Sequence, residues 1–429
     1  MKIIKSSIFN PLSLSRFEYF DEGAILIDEN GIIADYGKFE NIAQKYSEHK
    51  ILDKSDCYLM PGMIDTHTHL PQFEAKSCGH GELLEWLEKY IFPLEIKFAD
   101  DKFAQRKSAQ FYKELIKHGT TTAVIYTANF RNATDIAFYE AEKAGIRAFI
   151  GNSVMNTGGT GVLFKSTEEN IDIINEMKDK WHGRHDRLFF IVSPRFAGCV
   201  SSELMRICAD IANRNDLMIQ THLSENLSEI EYIKTLYPER ISYSDIYLHH
   251  KLLSSRTLLA HCIHLAEDEL QILKDNNCTV VHCPSSNRFL GSGIMPFANY
   301  IDMGLKVSLG TDVAAGYSMS LINEAKEARE MSKLFSHFNT DQNPRAVSIS
   351  EVFYSATLGG AVSLHISDIA GNISKNKHAD LVLINKNKLP AKEMFMSAQD
   401  ILSEILYSVK EVDETYIKGE QKYSSSFVE

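Results

Sequence analysis

The sequence has no apolar stretch approaching the ~18 residues that a membrane-spanning helix needs, so no membrane partner is expected. Its start, Met1-Lys2-Ile3-Ile4-Lys5-Ser6-Ser7, lacks the apolar core of a secretory signal. There is no Cys-x-x-Cys, and the seven cysteines (57, 78, 199, 208, 262, 278 and 283) are scattered and odd in number. That argues against a disulfide framework and against a thiolate zinc site, and points to a reducing, cytoplasmic setting. No Lys/Arg-rich run interrupts an acidic chain in which 45 basic residues face 57 acidic ones, a formal net charge of −12. Such a surface repels phosphate backbones, so nucleic acid is not an expected partner. Solenoid repeats and low-complexity segments are also missing. What is present is ordinary globular material, 44% hydrophobic and 24% charged over 429 residues. That length suits a barrel of ~250 residues plus a smaller unit.

Two apolar runs flank Asn30-Gly31 within 24–36, a hairpin signal because both turn residues tolerate positive φ. The tail carries similar runs at 380–384 and 415–419. Both ends therefore read as β structure, assembling one small β-sandwich from residues 1–60 and 365–429. Between them the rhythm changes. Short apolar runs at 58–65, 121–126, 147–151, 188–193, 217–221, 257–260, 278–282 and 306–309 alternate with amphipathic stretches such as 101–118, 202–213 and 267–276. Eight strands alternating with helices predict a parallel, closed (β/α)8 barrel of the α/β class over 61–364.

Reactive residues fall at the carboxyl ends of these runs: His67 and His69, Arg195, His222, His261, His282 and Asp312. In a strand, residues i and i+2 face one side, so His67 and His69 can offer two imidazoles to one ion. Alone, a His-x-His pair is weak evidence, since short motifs match by chance. Neutral imidazoles and a carboxylate gathered from several strand ends suit Zn²⁺ or Fe²⁺. A buried aspartate without such a partner would be costly. The bland reading of each histidine taken singly is a hydrogen-bonded core residue. His80-Gly81-Glu82 matches the His-x-Glu of cytidine-type deaminases, but no Pro-Cys-x-x-Cys accompanies it, so His80 reads as a loop residue. His282 reads as a packing or supporting histidine.

Residues 61–95, PGMIDTHTHLPQFEAKSCGHGELLEWLEKYIFPLE, resemble the guanine deaminases of the amidohydrolase superfamily. The resemblance continues through His118-Gly119-Thr120-Thr121-Thr122, Pro194-Arg195-Phe196, His222-Leu223-Ser224-Glu225-Asn226, Ala260-His261-Cys262, His282-Cys283-Pro284 and Gly310-Thr311-Asp312-Val313. It covers nearly the whole chain. The departures are the Cys78-Gly79-His80-Gly81-Glu82 loop and Ser285, which stands where asparagine is common in that family.

The resemblance implies a cytoplasmic, homodimeric enzyme of purine catabolism or salvage, with guanine as its small-molecule substrate and one ion per chain. It assigns His67, His69, His222 and Asp312 to a Zn²⁺ (or Fe²⁺) ion. Asp312 would also take the attacking water's proton, and His261 would hydrogen-bond the attacking oxygen. Glu225, three residues after His222, would carry protons to N3 and to the leaving amine at C2. Its bland alternative is a helix-start charge. Gln72 and Arg195 would read the purine edge and Phe196 would stack on the ring. Against these stand a surface salt bridge for Arg195 and core packing for Phe196. Two other readings are a related purine or azaheterocycle aminohydrolase, such as an 8-oxoguanine deaminase, and a non-catalytic scaffold relative.

Overall fold

The computed structural model describes residues 1–159, 161–339, 344–390 and 396–427. The chain opens with β1 (Lys2–Ser13), β2 (Arg16–Ile27), β3 (Ile33–Lys38) and β4 (Lys50–Pro61). The hairpin read at Asn30-Gly31 joins β2 to β3, with Gly31 at φ +77°. Its turn is wider than two residues, because Asp28 Oδ1 accepts from the backbone N–H of both Asn30 (2.9 Å) and Ile32 (2.8 Å). At the other end lie β13 (Leu381–Asn385), β14 (Glu414–Ile417) and β15 (Glu420–Ser424), counted after the eight strands of the central region. All seven pair in one sheet of order β15-β14-β13-β4-β1-β2-β3. Strand β13 adds antiparallel to β4, matching Leu381 with Pro61 and Leu383 with Leu59.

The central region alternates strands and helices. Its strands are β5 (Met63–His69), β6 (Thr120–Thr127), β7 (Arg147–Asn152), β8 (Leu188–Phe190), β9 (Ile219–Leu223), β10 (Thr257–His261), β11 (Thr279–His282) and β12 (Lys306–Leu309). They form two four-stranded parallel sheets, β5-β6-β7-β8 and β9-β10-β11-β12. Strand β6 is buried at every position, as strands covered on both faces are. The edges of the two sheets are linked at both junctions. Val192, just past β8, donates to Met218 O (3.0 Å) and accepts from Gln220 N–H (3.0 Å). Across the other junction Asp312 N–H donates to His67 O (2.9 Å) and His69 N–H to Val313 O (3.1 Å).

The connecting helices start where the sequence offers caps. Asp100 accepts from Phe103 N–H at 2.7 Å before the helix Asp101–Lys117, which turns Phe111 and Leu115 inward. Ser166 and Glu169 form a capping box for Thr167–Trp181.

One boundary differs from the sequence reading. The run 58–65 is two strands, not one. Residues up to Pro61 stay in the terminal sheet, and β5 begins at Met63. The break falls at Gly62, where a Cβ would come within 2.3 Å of Thr121, so the chain passes only because glycine has none. Near this junction the buried Arg147, at the start of β7, ties the two regions together. Its Nη1 donates to Asp380 Oδ2 (2.5 Å) and Thr122 Oγ1 (3.1 Å), and its Nη2 meets His378 Nδ1 (2.7 Å).

A candidate metal and purine site

The residues singled out at the strand ends meet in one place. His67 Nε2 lies 3.2 Å from His69 Nε2 and 3.1 Å from Asp312 Oδ1. His69 Nε2 is 3.3 Å from His222 Nε2 and 3.1 Å from Asp312 Oδ1. Four ligand atoms ~2.0–2.1 Å from a tetrahedral ion stand about 3.3 Å apart, close to these spacings. Three imidazole nitrogens crowded this tightly repel unless a cation lies among them. A looser grouping, His67, His222, His261 and Asp312, has its ligand atoms within 4.8 Å of one another. Distance favours His69 over His261 for the tight cage, because His261 Nε2 reaches Asp312 no nearer than 3.8 Å, at Oδ2.

Protonation suits an ion as well. Burial pushes the His69 imidazole down to about 3 and holds His222 well below its usual range, so both are neutral donors at pH 7. His222 Nδ1–H donates to Arg195 O at 2.6 Å, which turns Nε2 toward the cage. Burial works against ionisation of Asp312, yet bonds from His67 and His69 hold its carboxyl well below the usual range. Its other oxygen accepts from Ser286 Oγ at 2.6 Å. Behind the cage, Asp65 accepts from His67 N–H (3.2 Å), Thr311 N–H (3.0 Å) and Thr311 Oγ1 (2.6 Å). His261 (φ +73°) and Asp312 (φ +44°) occupy left-handed backbone, a strain side chains of this size accept mainly where the surroundings impose it.

Beside the cage opens a cleft lined among others by Gln72, Trp86, Arg195, Phe196 and Glu225. Glu225 sits between β9 and the N-cap Asn226 of the helix Leu227–Leu236, and its side chain lines the cleft. Its backbone N–H donates to Glu229 Oε2 at 2.9 Å, which fixes the turn. Its side-chain Oε2 is 3.3 Å from His261 Nε2, while the buried Oε1 has no protein partner. Burial, reinforced by the Asp312 and Glu229 carboxylates, pushes its carboxyl well above the usual range. His261 Nδ1 meets Asn287 Oδ1 at 2.9 Å.

Arg195 is 2% exposed, so it is no surface salt bridge. Phe196 lines the cleft as well as packing in the core. Other residues stay outside. His80 is exposed, its ring near the Tyr90 hydroxyl at 3.4 Å. His282 packs on Phe297, with ring centroids 5.3 Å apart. Ser285 uses its backbone N–H on Glu324 Oε2 at 3.1 Å and is absent from the cleft wall.

Sequence reasoning passed over four contributors. Glu95 accepts hydrogen bonds from both Gln72 and Arg195. Trp86 walls the cleft. Ser286 and Asn287 orient Asp312 and His261. Each had a signal: Glu95 ends Phe92-Pro93-Leu94-Glu95, Trp86 lies in Leu83-Leu84-Glu85-Trp86-Leu87, and Ser286-Asn287 follow Cys283-Pro284-Ser285.

The amidohydrolase family model matches residues 58–422. The guanine deaminase of Dictyostelium discoideum is 32% identical over 401 residues, 90% of this chain and 89% of that protein. The guanine deaminase of Mus musculus is 34% identical over 386 residues, 86% of this chain and 84% of that protein. Among solved structures, the guanine deaminase from C. acetobutylicum with guanine bound in its active site superposes with a TM-score of 0.93. It is 30% identical and covers 98% of this chain and 100% of its own. By sequence, fold and the residues gathered at its strand ends, the chain belongs to the amidohydrolase family and, within it, to the guanine deaminases.

Proposed function

We propose that the chain hydrolyses guanine to xanthine and ammonia. The observation that carries the reading is the meeting, in one cleft, of the 3.1–3.3 Å cage with a buried, unpartnered Glu225 oxygen. Guanine as substrate is supported by the relatives, one of them crystallised with that base.

In this reading His67, His69, His222 and Asp312 hold one ion per chain, Zn²⁺ or Fe²⁺, suited to nitrogen and oxygen donors. When bound, a divalent ion would lower the pKa of a water to about 7 and polarise the reacting centre. Asp312, steadied by Ser286, takes the proton of the attacking water. His261, steadied by Asn287, faces the attacking oxygen. Glu225 carries a proton to N3 and then to the C2 amine, which must leave as ammonia. Its raised proton affinity suits that shuttle. Arg195 and Gln72 hold the purine edge, with Phe196 against the ring.

The reading places this chemistry on a closed (β/α)8 barrel, residues 61–364, supported by the hydrogen bonds linking the sheet edges at both junctions. Residues 1–60 and 365–429 make the small terminal β unit, read from the sequence as a sandwich and built on one seven-stranded sheet. In its support, Ile4, Ile25, Leu59, Leu381 and Tyr416, from distant strands of the terminal sheet, share one apolar cluster. The seven cysteines are all free, as a cytoplasmic protein's would be, and no helix among the described residues is long and apolar enough to cross a membrane. The homodimer is proposed on family likeness alone. The test is direct: zinc-loaded protein should consume guanine, followed by its absorbance, and release one ammonia per guanine. No ammonia release would sink the reading.

A further inference from the structure

Glu95 lies on the short helix Phe92–Ile96 and is 1% exposed. Its Oε1 accepts from Gln72 Nε2 and from Arg195 Nη1, each at 3.0 Å, and its Oε2 accepts from the same Nη1 at 3.0 Å. Nη1 also reaches Ser153 Oγ at 3.3 Å. Among the described residues every hydrogen bond of the guanidinium leaves from Nη1, so Nε and Nη2 are left for a ligand. The Phe92 ring centroid lies 5.2 Å from the guanidinium carbon. Gln72 is held from both ends, since its Oε1 accepts from Ala314 N–H at 3.4 Å. Among the described residues Arg195 is the one Lys or Arg that lines the cleft.

We infer that Glu95 is a positioning and charge-balancing residue: it aims Gln72 and Arg195 together and cancels the arginine's charge, so the cleft takes neutral, carbonyl-bearing heterocycles and rejects anionic ones. A buried guanidinium without a partner would seek an anion. Paired with Glu95, its remaining N–H groups still donate to a neutral carbonyl oxygen. An anion reaching the Arg195 side of the cleft meets no net positive charge there and loses its hydration, a repulsive element of the kind that specificity requires. The inference rests on the guanine reading and adds a consequence for it. Xanthine is a stronger acid than guanine, so a cleft that rejects anions also releases the product that loses a proton.

The test compares urate, a monoanion at neutral pH, with neutral hypoxanthine as ligands of the zinc-loaded protein, both measured by calorimetry at one pH. Glu95→Gln keeps the shape and removes the charge. It should tighten urate relative to hypoxanthine by about tenfold, a change of one decade in Kd. An unchanged ratio overturns the inference. Glu95→Asp keeps the charge but is one methylene too short to bridge both partners. It should leave the ratio alone and lower kcat/KM for guanine about tenfold, mostly through KM. Wild-type kinetics overturn the positioning role, and a ratio shifted as far as in Glu95→Gln overturns the charge balance. If Glu95→Gln does not fold, Arg195→Gln reports from the other side, because it leaves Glu95 unpaired. It should weaken urate about tenfold more than hypoxanthine, and equal losses would refute the balance. Guanine turnover by the unaltered protein is read separately. Its absence, with the ligand ratios moving as stated, would remove the functional reading and leave the charge balance standing.

Discussion

Two clusters of buried charge sit at opposite ends of the parallel strands, and they are built differently. At the carboxyl ends, His67, His69, His222 and Asp312 crowd together, and Glu225 keeps an oxygen with no protein partner. At the amino ends, Arg147 is fully buried as well, yet Asp380, Thr122 and His378 answer both its terminal nitrogens, leaving only Nε without a partner, and Asp380 in turn accepts from Lys418 N–H at 2.7 Å. One cluster brings together side chains of the kind that hold a metal ion. The other is close to complete and holds the terminal sheet to the strands. Buried charge alone does not mark a functional site; buried charge left unanswered does.

Variants at the two clusters can break or sharpen this comparison. The largest effect is expected at the cage: His67→Ala or Asp312→Ala should abolish bound metal and guanine turnover while thermal unfolding stays cooperative. Full activity in rigorously metal-free protein would erase the distinction. Next comes Glu225→Gln, which keeps the shape but cannot cycle a proton. It should retain metal and lose roughly 10²–10⁴-fold in kcat. Parallel loss of metal and activity would make Glu225 a ligand instead.

At the opposite end the sign of the effect changes. Asp380→Ala strands a buried guanidinium and should cost about 3–5 kcal/mol of stability in denaturant unfolding, with kcat unchanged well below the melting temperature. Replacing the pair together, Arg147→Met with Asp380→Leu, should recover much of that loss. A kcat defect in folded Asp380→Ala would show that the two ends are coupled.

The smallest effect concerns Glu324, which supports Ser285 behind the site. Burial pushes its carboxyl up to about 8. The folded state therefore keeps a proton that the unfolded chain releases above its ordinary value near 4.5. This contribution makes stability fall as pH rises from about 4.5 to about 8 and then level off. Glu324→Gln should flatten that slope, by up to a few kcal/mol across the window. An unaltered slope would mean that Glu324 is already ionised when folded.

What could be read from sequence follows from what is local. His67 and His69 were legible because strand side chains alternate, and His222, His261 and Asp312 because each closes an apolar run. The break at Gly62 was hidden, since only the neighbouring Thr121 makes glycine necessary there. Glu95 was quoted in a motif but had no visible role, because its partner Arg195 lies 100 residues away. The Arg147–Asp380 pair, 233 residues apart, left no local trace at all.

The terminal sheet has a consequence for the chain as it is made. Strand β4 borders β1 on one side and waits for β13 on the other. Lys54 on β4 and Glu414 on β14 form an ion pair at 2.6 Å across 360 residues of sequence. At about 5–20 residues per second, the ribosome takes roughly 20–70 s to deliver that partner. During that interval β4 presents an open edge, the feature that invites one nascent chain to pair with another. A transcript that stops short of β13 leaves that edge open for good, so the last sixty or so residues act as a seal on the first sixty.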